Sequence, residues 1–208
     1  MKKIAYLTIW MIALLVGFSS CEKEEVGGTA TEKFSGEWYV TVDLITTDGE
    51  IITSAELAEE EIIKSERAII RTFNTAANVP DKFIVSDVSG AYSIFSDEVL
   101  RFSAEANLDQ STGTFSTSDY VTNLVINNEW KADTDPIENK YAEVRVYNGK
   151  ITFDGGKQNN GSVADAIEFD VAIKNNYADI TGFWEDYDIE LDHFHVSGVR
   201  YSGLVEND

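Results

Sequence analysis

Residues 34–53, FSGEWYVTVDLITTDGEIIT, alternate with period two. Phe34, Trp38, Val40 and Val42 fall on one face of an extended chain, and Glu37, Tyr39, Thr41 and Asp43 on the other, as in a half-buried β-strand. Asp48-Gly49 then offers the positive φ values of a tight hairpin turn. Residues 141–153, YAEVRVYNGKITF, predict a second hairpin, with Asn148-Gly149 between Val144/Val146 and Ile151/Phe153. In AIEFDVAIK, residues 166–174, Ile167, Phe169, Val171 and Ile173 point inward while Glu168, Asp170 and Lys174 point outward. Further strands are expected in RAIIRTFN (67–74), KFIVSDV (82–88), LRFSAEANL (100–108), GTFSTS (113–118), YVTNLVIN (120–127) and HFHVSGVRYSG (193–203). With at least eight strands and only two prolines, the chain reads as all-β and antiparallel, a sandwich or a barrel.

One segment departs from this pattern. TSAELAEEEIIKSE, residues 53–66, carries a capping box, Thr53 with Glu56 three residues on, and predicts one short helix from about Ser54 to Lys64. The β-branched run after it and the loop TAANVPD stop that helix short of Phe73.

Ahead of the strands, Lys2 and Lys3 precede an apolar run from Ile4 to Val16, the layout of a secretory signal and too short for a durable membrane span. The single cysteine, Cys21, follows Ser19 and Ser20; one cysteine in an exported domain makes no internal bridge. FSSC resembles the bacterial lipobox, which implies cleavage before Cys21, acylation of its thiol, and anchoring to a membrane by palmitate-like chains. The acidic EKEE that follows resembles the signal that sends Bacteroidetes lipoproteins to the outer face of the outer membrane; the alternative reading is a solvated linker. The expected organisation is therefore a signal peptide at 1–20, an acidic lipidated linker at 21–33 and a β-barrel domain at 34–208. The expected location is the outer membrane, lipid-anchored and cell-surface exposed.

The whole chain has 16 basic and 37 acidic residues, a net charge of −21; loss of Lys2 and Lys3 with the leader takes it to −23. Such a surface repels phosphate backbones, so nucleic acid is not an expected partner. At 43% hydrophobic and 12% aromatic residues, the chain has the composition of a folded globule.

Gly36-x-Trp38 at the start of the first strand and Arg200 in the last resemble the calycin arrangement, in which an arginine from the final strand covers a tryptophan at the closed end of a lipocalin-like barrel. Parity allows it, since Arg200 shares a strand face with Phe194 and Val196. The plainer alternative is an ordinary core tryptophan and a surface arginine. Taken with the lipobox, RTFNTAANVPDKFIVSDV and FHVSGVRYSG resemble the lipid-binding lipoproteins of Bacteroides across residues 34 to 204. That resemblance implies a calycin-like β-barrel able to enclose a small apolar ligand, and the family also carries a hydrolase label.

The residues themselves offer little catalysis. There is no G-x-S-x-G elbow, and the two histidines, His193 and His195, share a strand face that the parity of Phe194 and Val196 places outward, so they read as a solvated face. No catalytic residue and no cofactor are expected. No metal is expected either, the alternative being Ca²⁺ at Asp186, Asp188 and Glu190, which WEDYDIELD stacks on one side of an extended chain; Asp133, Asp135 and Glu138 form a lesser acidic group. Trp130, Trp184 and Tyr187 are candidate ligand contacts, aromatics in expected loops that suit an acyl chain or a sugar ring, the alternative being ordinary core aromatics. The leading expectation is a non-enzymatic lipoprotein that binds an apolar or amphipathic ligand. Second is a cell-surface accessory subunit for a glycan or an unknown protein partner, without a ligand cavity, and third a hydrolase.

Overall fold

A computed structural model of the chain describes residues 28–46, 48–59, 67–87, 102–125, 140–174 and 193–203. Its strands are β1 (Gly36–Ile45), β2 (Ile51–Ile52), β3 (Ala68–Asn74), β4 (Lys82–Asp87), β5 (Phe102–Asp109), β6 (Thr114–Ser116), β7 (Val121–Val125), β8 (Lys140–Lys157), β9 (Val163–Lys174) and β10 (His193–Arg200). Neighbours pair antiparallel in the order β1, β3, β4, β5, β6, β8, β9, β10, and β10 pairs with β1 from Trp38↔Arg200 to Leu44↔Phe194. The result is a closed antiparallel barrel of eight strands. Closure removes the free sheet edges that would otherwise template association.

Alternation decides which side chains enter. From β1, Trp38, Val40, Val42 and Leu44 are at most 1% exposed, and Ile167, Phe169, Val171 and Ile173 of β9 are buried as their spacing predicts. Phe115 of β6 packs edge-on to Phe83 of β4 at 5.1 Å between centroids and lies 5.8 Å from Phe169. Each such side chain contributes roughly 1.5–3 kcal/mol by leaving water, so the interior carries the fold.

The Trp38 end is sealed by a network that starts in the strand and ends in the segment before it. The Trp38 indole N–H donates to the Thr72 hydroxyl at 2.8 Å, and Thr72 donates to the Phe34 carbonyl at 2.7 Å. Phe34 closes a 3-10 turn, Glu32–Phe34, and is buried. Arg200 lies over the indole, its guanidinium carbon 4.5 Å from the ring centroid. Its Nη1 and Nη2 donate to the carbonyls of Ser35 (2.6 Å) and Lys33 (2.8 Å), and its Nε to Asp165 (2.8 Å). Gly36 makes this possible, because a Cβ there would stand 2.3 Å from Arg200 Nη1. The glycine clears the guanidinium, and the tryptophan two residues on presents the ring it covers.

The first hairpin forms as expected, with Gly49 at φ 83° and β2 paired to the end of β1. The helix α1 (Ser54–Glu59) begins with the reciprocal capping box, Glu56 N–H to Thr53 Oγ1 at 3.2 Å and Thr53 N–H to Glu56 Oε2 at 2.9 Å. The Thr53 N–H, and with it the Thr53 hydroxyl donating to Oε2 at 2.8 Å, holds the Glu56 carboxyl below its ordinary value. The buried Asp43 adds an acceptor for the Ser54 N–H at 2.7 Å. The expected continuation toward Lys64 lies outside the described residues, and β3 starts at Ala68, so no helix reaches Phe73.

One expectation is corrected. Asn148-Gly149 is not a hairpin turn: β8 runs unbroken through it and shifts register between Tyr147 and Lys150. Only Asn148 has a positive φ, 52°, whereas a two-residue type I′ turn needs two; one residue in that region makes a bulge. Gly149 serves another need, since a Cβ there would lie 2.4 Å from the Phe115 ring that packs across it. The turn that does join β8 to β9 is Gln158–Ser162, with Gly161 at φ 84°.

Because Arg200 and Gly36 serve one contact, their substitutions are expected to be non-additive. Arg200→Ala and Gly36→Ala should each cost about 1.5–3 kcal/mol, the range for hydrogen bonds to a charged group. The double variant should cost little more than either alone, as measured by urea unfolding; simple addition of the two losses would disconnect them.

Candidate functional site

The candidate site is the inner wall. At the Trp38 end the interior is filled by rings, Trp38, Phe83 and Phe115, with Phe169 midway. Away from that end lie Val42 and Leu44 of β1, Val144 of β8 and Ile173 of β9, with Phe194 opposite Leu44 and Leu57 of α1 packed in; Val85 of β4 stands opposite Thr72, beside the sealed end. On β5 the inward positions opposite Phe83 and Val85 are Ala106 and Ala104. Large side chains and short ones thus face each other across the wall.

Three charged groups belong to the inward files. Arg200 is held at the sealed end, paired with Asp165 of β9. Asp87, 1% exposed, ends β4 in the same file as Phe83 and Val85, between Ile70 and Phe102 in register. In register it stands two strands from Trp38, with Ile70 between them. The described strand ends that flank residues 88–101, 126–139 and 175–192 point away from the sealed end.

The residues singled out in the sequence divide sharply. Trp38 and Arg200 are in contact across the closing strand pair. Cys21, Trp130, Trp184, Tyr187, Asp186, Asp188 and Glu190 all lie outside the described residues, as do Asp133, Asp135 and Glu138. His193 and His195 stand on the outer wall, where His193 Nδ1 meets the Tyr147 hydroxyl at 3.3 Å and His195 Nδ1 the Asp170 carboxylate at 2.8 Å. Neither bonds a serine or threonine hydroxyl among the described residues. Among those residues, too, no three His, Cys, Asp or Glu side chains are grouped to hold a metal ion.

Sequence reasoning passed over Thr72, Asp87, Asp165 and Asp170. Parity in KFIVSDV was enough to place Asp87 inward beside Phe83 and Val85. Asp165 and Thr72 had no such signal, because their roles depend on strands that meet only in the closed barrel.

A hollow lies on the outer wall. It is a groove of about 800 Å³ where β6 is short and β8 bulges, reaching Leu108 and Phe115 at its base, with Asp109, Asn148, Lys150 and Glu168 among its polar lining. It mixes carboxylates, amides and one lysine, with no aromatic face presented to solvent.

The inner wall is apolar and its side chains are buried, and no nucleophile activated by a base stands in it among the described residues. No curated protein matches the chain. A protein-family profile described as "Lipid-binding putative hydrolase" matches residues 23–205, which takes in every strand of the barrel. The chain belongs to that family.

Proposed function

We propose that this protein is a lipid-anchored component of the outer membrane, displayed on the cell surface, whose barrel holds an apolar or amphipathic, lipid-like ligand. The observation that carries the reading is the apolar inner wall of a closed barrel in a family described as lipid-binding. The magnitudes favour a long chain. Burial yields about 0.8 kcal/mol per CH₂, so at least about five methylenes are needed to offset even the lower end of the ~4–15 kcal/mol cost of association. The half of the interior away from Trp38, where Val42, Leu44, Val144 and Ile173 stand, is the place for it, since the Trp38 end is sealed.

The anchor is Cys21. It is supported by the Lys2-Lys3 start, the short apolar run and the absence of any other cysteine. The first described residues pack against the Trp38 end, where the Ala30 N–H donates to Asn78 at 2.8 Å and its carbonyl accepts from Gln110 at 2.9 Å. A tether leaving from that end turns the other end of the barrel away from the membrane, toward the ligand's source outside the cell. With a net charge of −21, the domain is not drawn down onto anionic lipid.

Protein carrying Cys21→Ser, purified without lipid, is expected to bind one fluorescent fatty acid per chain and to retain co-purifying lipid in native mass spectrometry. Val42→Phe and Ala104→Phe, which fill the interior, should each weaken binding at least tenfold. Overpacking costs about 1–3 kcal/mol, so circular dichroism must first show both variants folded. Binding by neither the parent nor any variant, or binding indifferent to both inward substitutions, would defeat the interior site.

In cells, Cys21→Ser should abolish palmitate labelling and release the protein from the membrane fraction. Protease added to intact cells should cleave the wild type. Protection until the outer membrane is broken would instead make EKEE a plain linker and place the domain in the periplasm.

A further inference from the structure

The outer wall of β8, β9 and β10 carries an arrangement that ligand binding in the interior does not use. His193 and His195 project from β10 on the side opposite the buried Phe194 and Val196. Tyr147, Asp170 and His195 form one row across three strands, and Arg145, Ala172 and His193 form the next. Ala172 is buried and small, so Tyr147 reaches diagonally across it to His193. Asp170 is held in turn by Asn148, whose amide donates to Oδ2 at 2.8 Å.

Both imidazoles are therefore gripped at Nδ1, and from the same side. The Asp170 carboxylate, its side chain 15% exposed, accepts the His195 Nδ1–H and leaves a lone pair on Nε2; the His195 side chain is 24% exposed. The Tyr147 oxygen can accept the His193 Nδ1–H. With Nδ1 turned into the wall on each ring, Nε2 at the ring tip is directed away from it, and among the described residues no group bonds either Nε2. Two residues apart on a strand, the rings spring from Cα atoms about 6.8 Å apart, close enough to lean onto one ion at about 2.0–2.1 Å from each nitrogen.

We propose that His193 and His195 bind a borderline transition-metal ion, Cu²⁺, Ni²⁺ or Zn²⁺, through their Nε2 atoms, with Asp170 and Tyr147 as positioning residues. An imidazole whose other N–H meets a carboxylate or comparable acceptor is the usual form of a metal-ligating histidine. Nitrogen donors select these ions over Ca²⁺ and Mg²⁺, which take oxygen. The protein's −21 charge favours a dication at the surface. With two protein ligands the remaining positions are open to water or to a donor atom of another molecule. The ion exchanges readily and is not a structural one.

The test is a titration of Cys21→Ser protein with Cu²⁺, Ni²⁺ and Zn²⁺ by calorimetry, with electron paramagnetic resonance on the copper form. One equivalent of Cu²⁺ is expected, bound tighter than Ni²⁺ or Zn²⁺ as the general order of divalent ions requires. The copper spectrum should show two imidazole nitrogens. His193→Gln and His195→Gln should each lower copper affinity at least tenfold while fatty-acid binding stays as in the parent, which shows the barrel intact. Asp170→Asn should lower it by about 10–100-fold through His195 alone. No saturable binding by the parent overturns the site, as does copper binding that survives the double histidine variant. An Asp170→Asn affinity equal to the parent's would overturn the positioning role of that carboxylate.

Discussion

The guanidinium of Arg200 lying over the indole of Trp38 joins the last strand to the first, and the rest of the barrel depends on that junction. β1 and β10 stand at opposite ends of the chain, and their pairing from Trp38↔Arg200 to Leu44↔Phe194 turns a sheet with two open edges into a ring. The same arginine also ties down the segment ahead of β1 through the carbonyls of Ser35 and Lys33. That segment brings Phe34 over the end of the barrel, and the Trp38–Thr72–Phe34 chain of hydrogen bonds lets a tryptophan be wholly buried with its N–H satisfied. The seal at one end gives the interior a direction. Trp38, Phe83 and Phe115 crowd the sealed end, while Val42, Leu44, Val144 and Ile173 lie toward the other.

Much of this was legible in the sequence, because a strand of period two declares its faces. Val40, Val42 and Leu44, Ile167 through Ile173, and Phe194 with Val196 all stand inward as their spacing requires. The facing of Arg200 toward Trp38 followed from the same parity. The reason for Gly36 did not, since the atom it makes room for arrives from a strand more than a hundred residues later. Asn148-Gly149 misled for a related reason. The pair has the chemistry of a turn, but Gly149 is claimed by the Phe115 ring across the wall, so the chain bends and continues. Local chemistry offered two outcomes, and a distant side chain selected one. Trp130, Trp184 and Tyr187, which composition marks as ligand contacts, lie outside the described residues, so the candidate site rests on the strands alone.

The two faces of the wall serve different chemistry. Inside, burial excludes water, and among the described residues the inward files hold Arg200 with its partner Asp165, and Asp87. Outside, two neighbouring hydrogen-bonded groups, Tyr147 with His193 and Asn148 with Asp170 and His195, stand where the interior does not touch them. The separation is a consequence of strand alternation: Asp170 and Val171, or Phe194 and His195, are neighbours in the chain yet belong to different solvents. It also explains why the family's two labels are unequal here. The apolar interior suits lipid, whereas the histidines a hydrolase would use as a base are engaged on the outer wall.

The central claim is that a lipid chain occupies the half of the interior away from Trp38, and methyl-resolved NMR with a spin-labelled fatty acid tests it most directly. With the label near the end of the acyl chain, the account predicts selective broadening of the methyl groups of Val42, Leu44, Val144 and Ile173, with those of Ile69 and Val199 on the outer wall left sharp. Broadening centred on the outer-wall methyls, or none at saturating ligand, would contradict it.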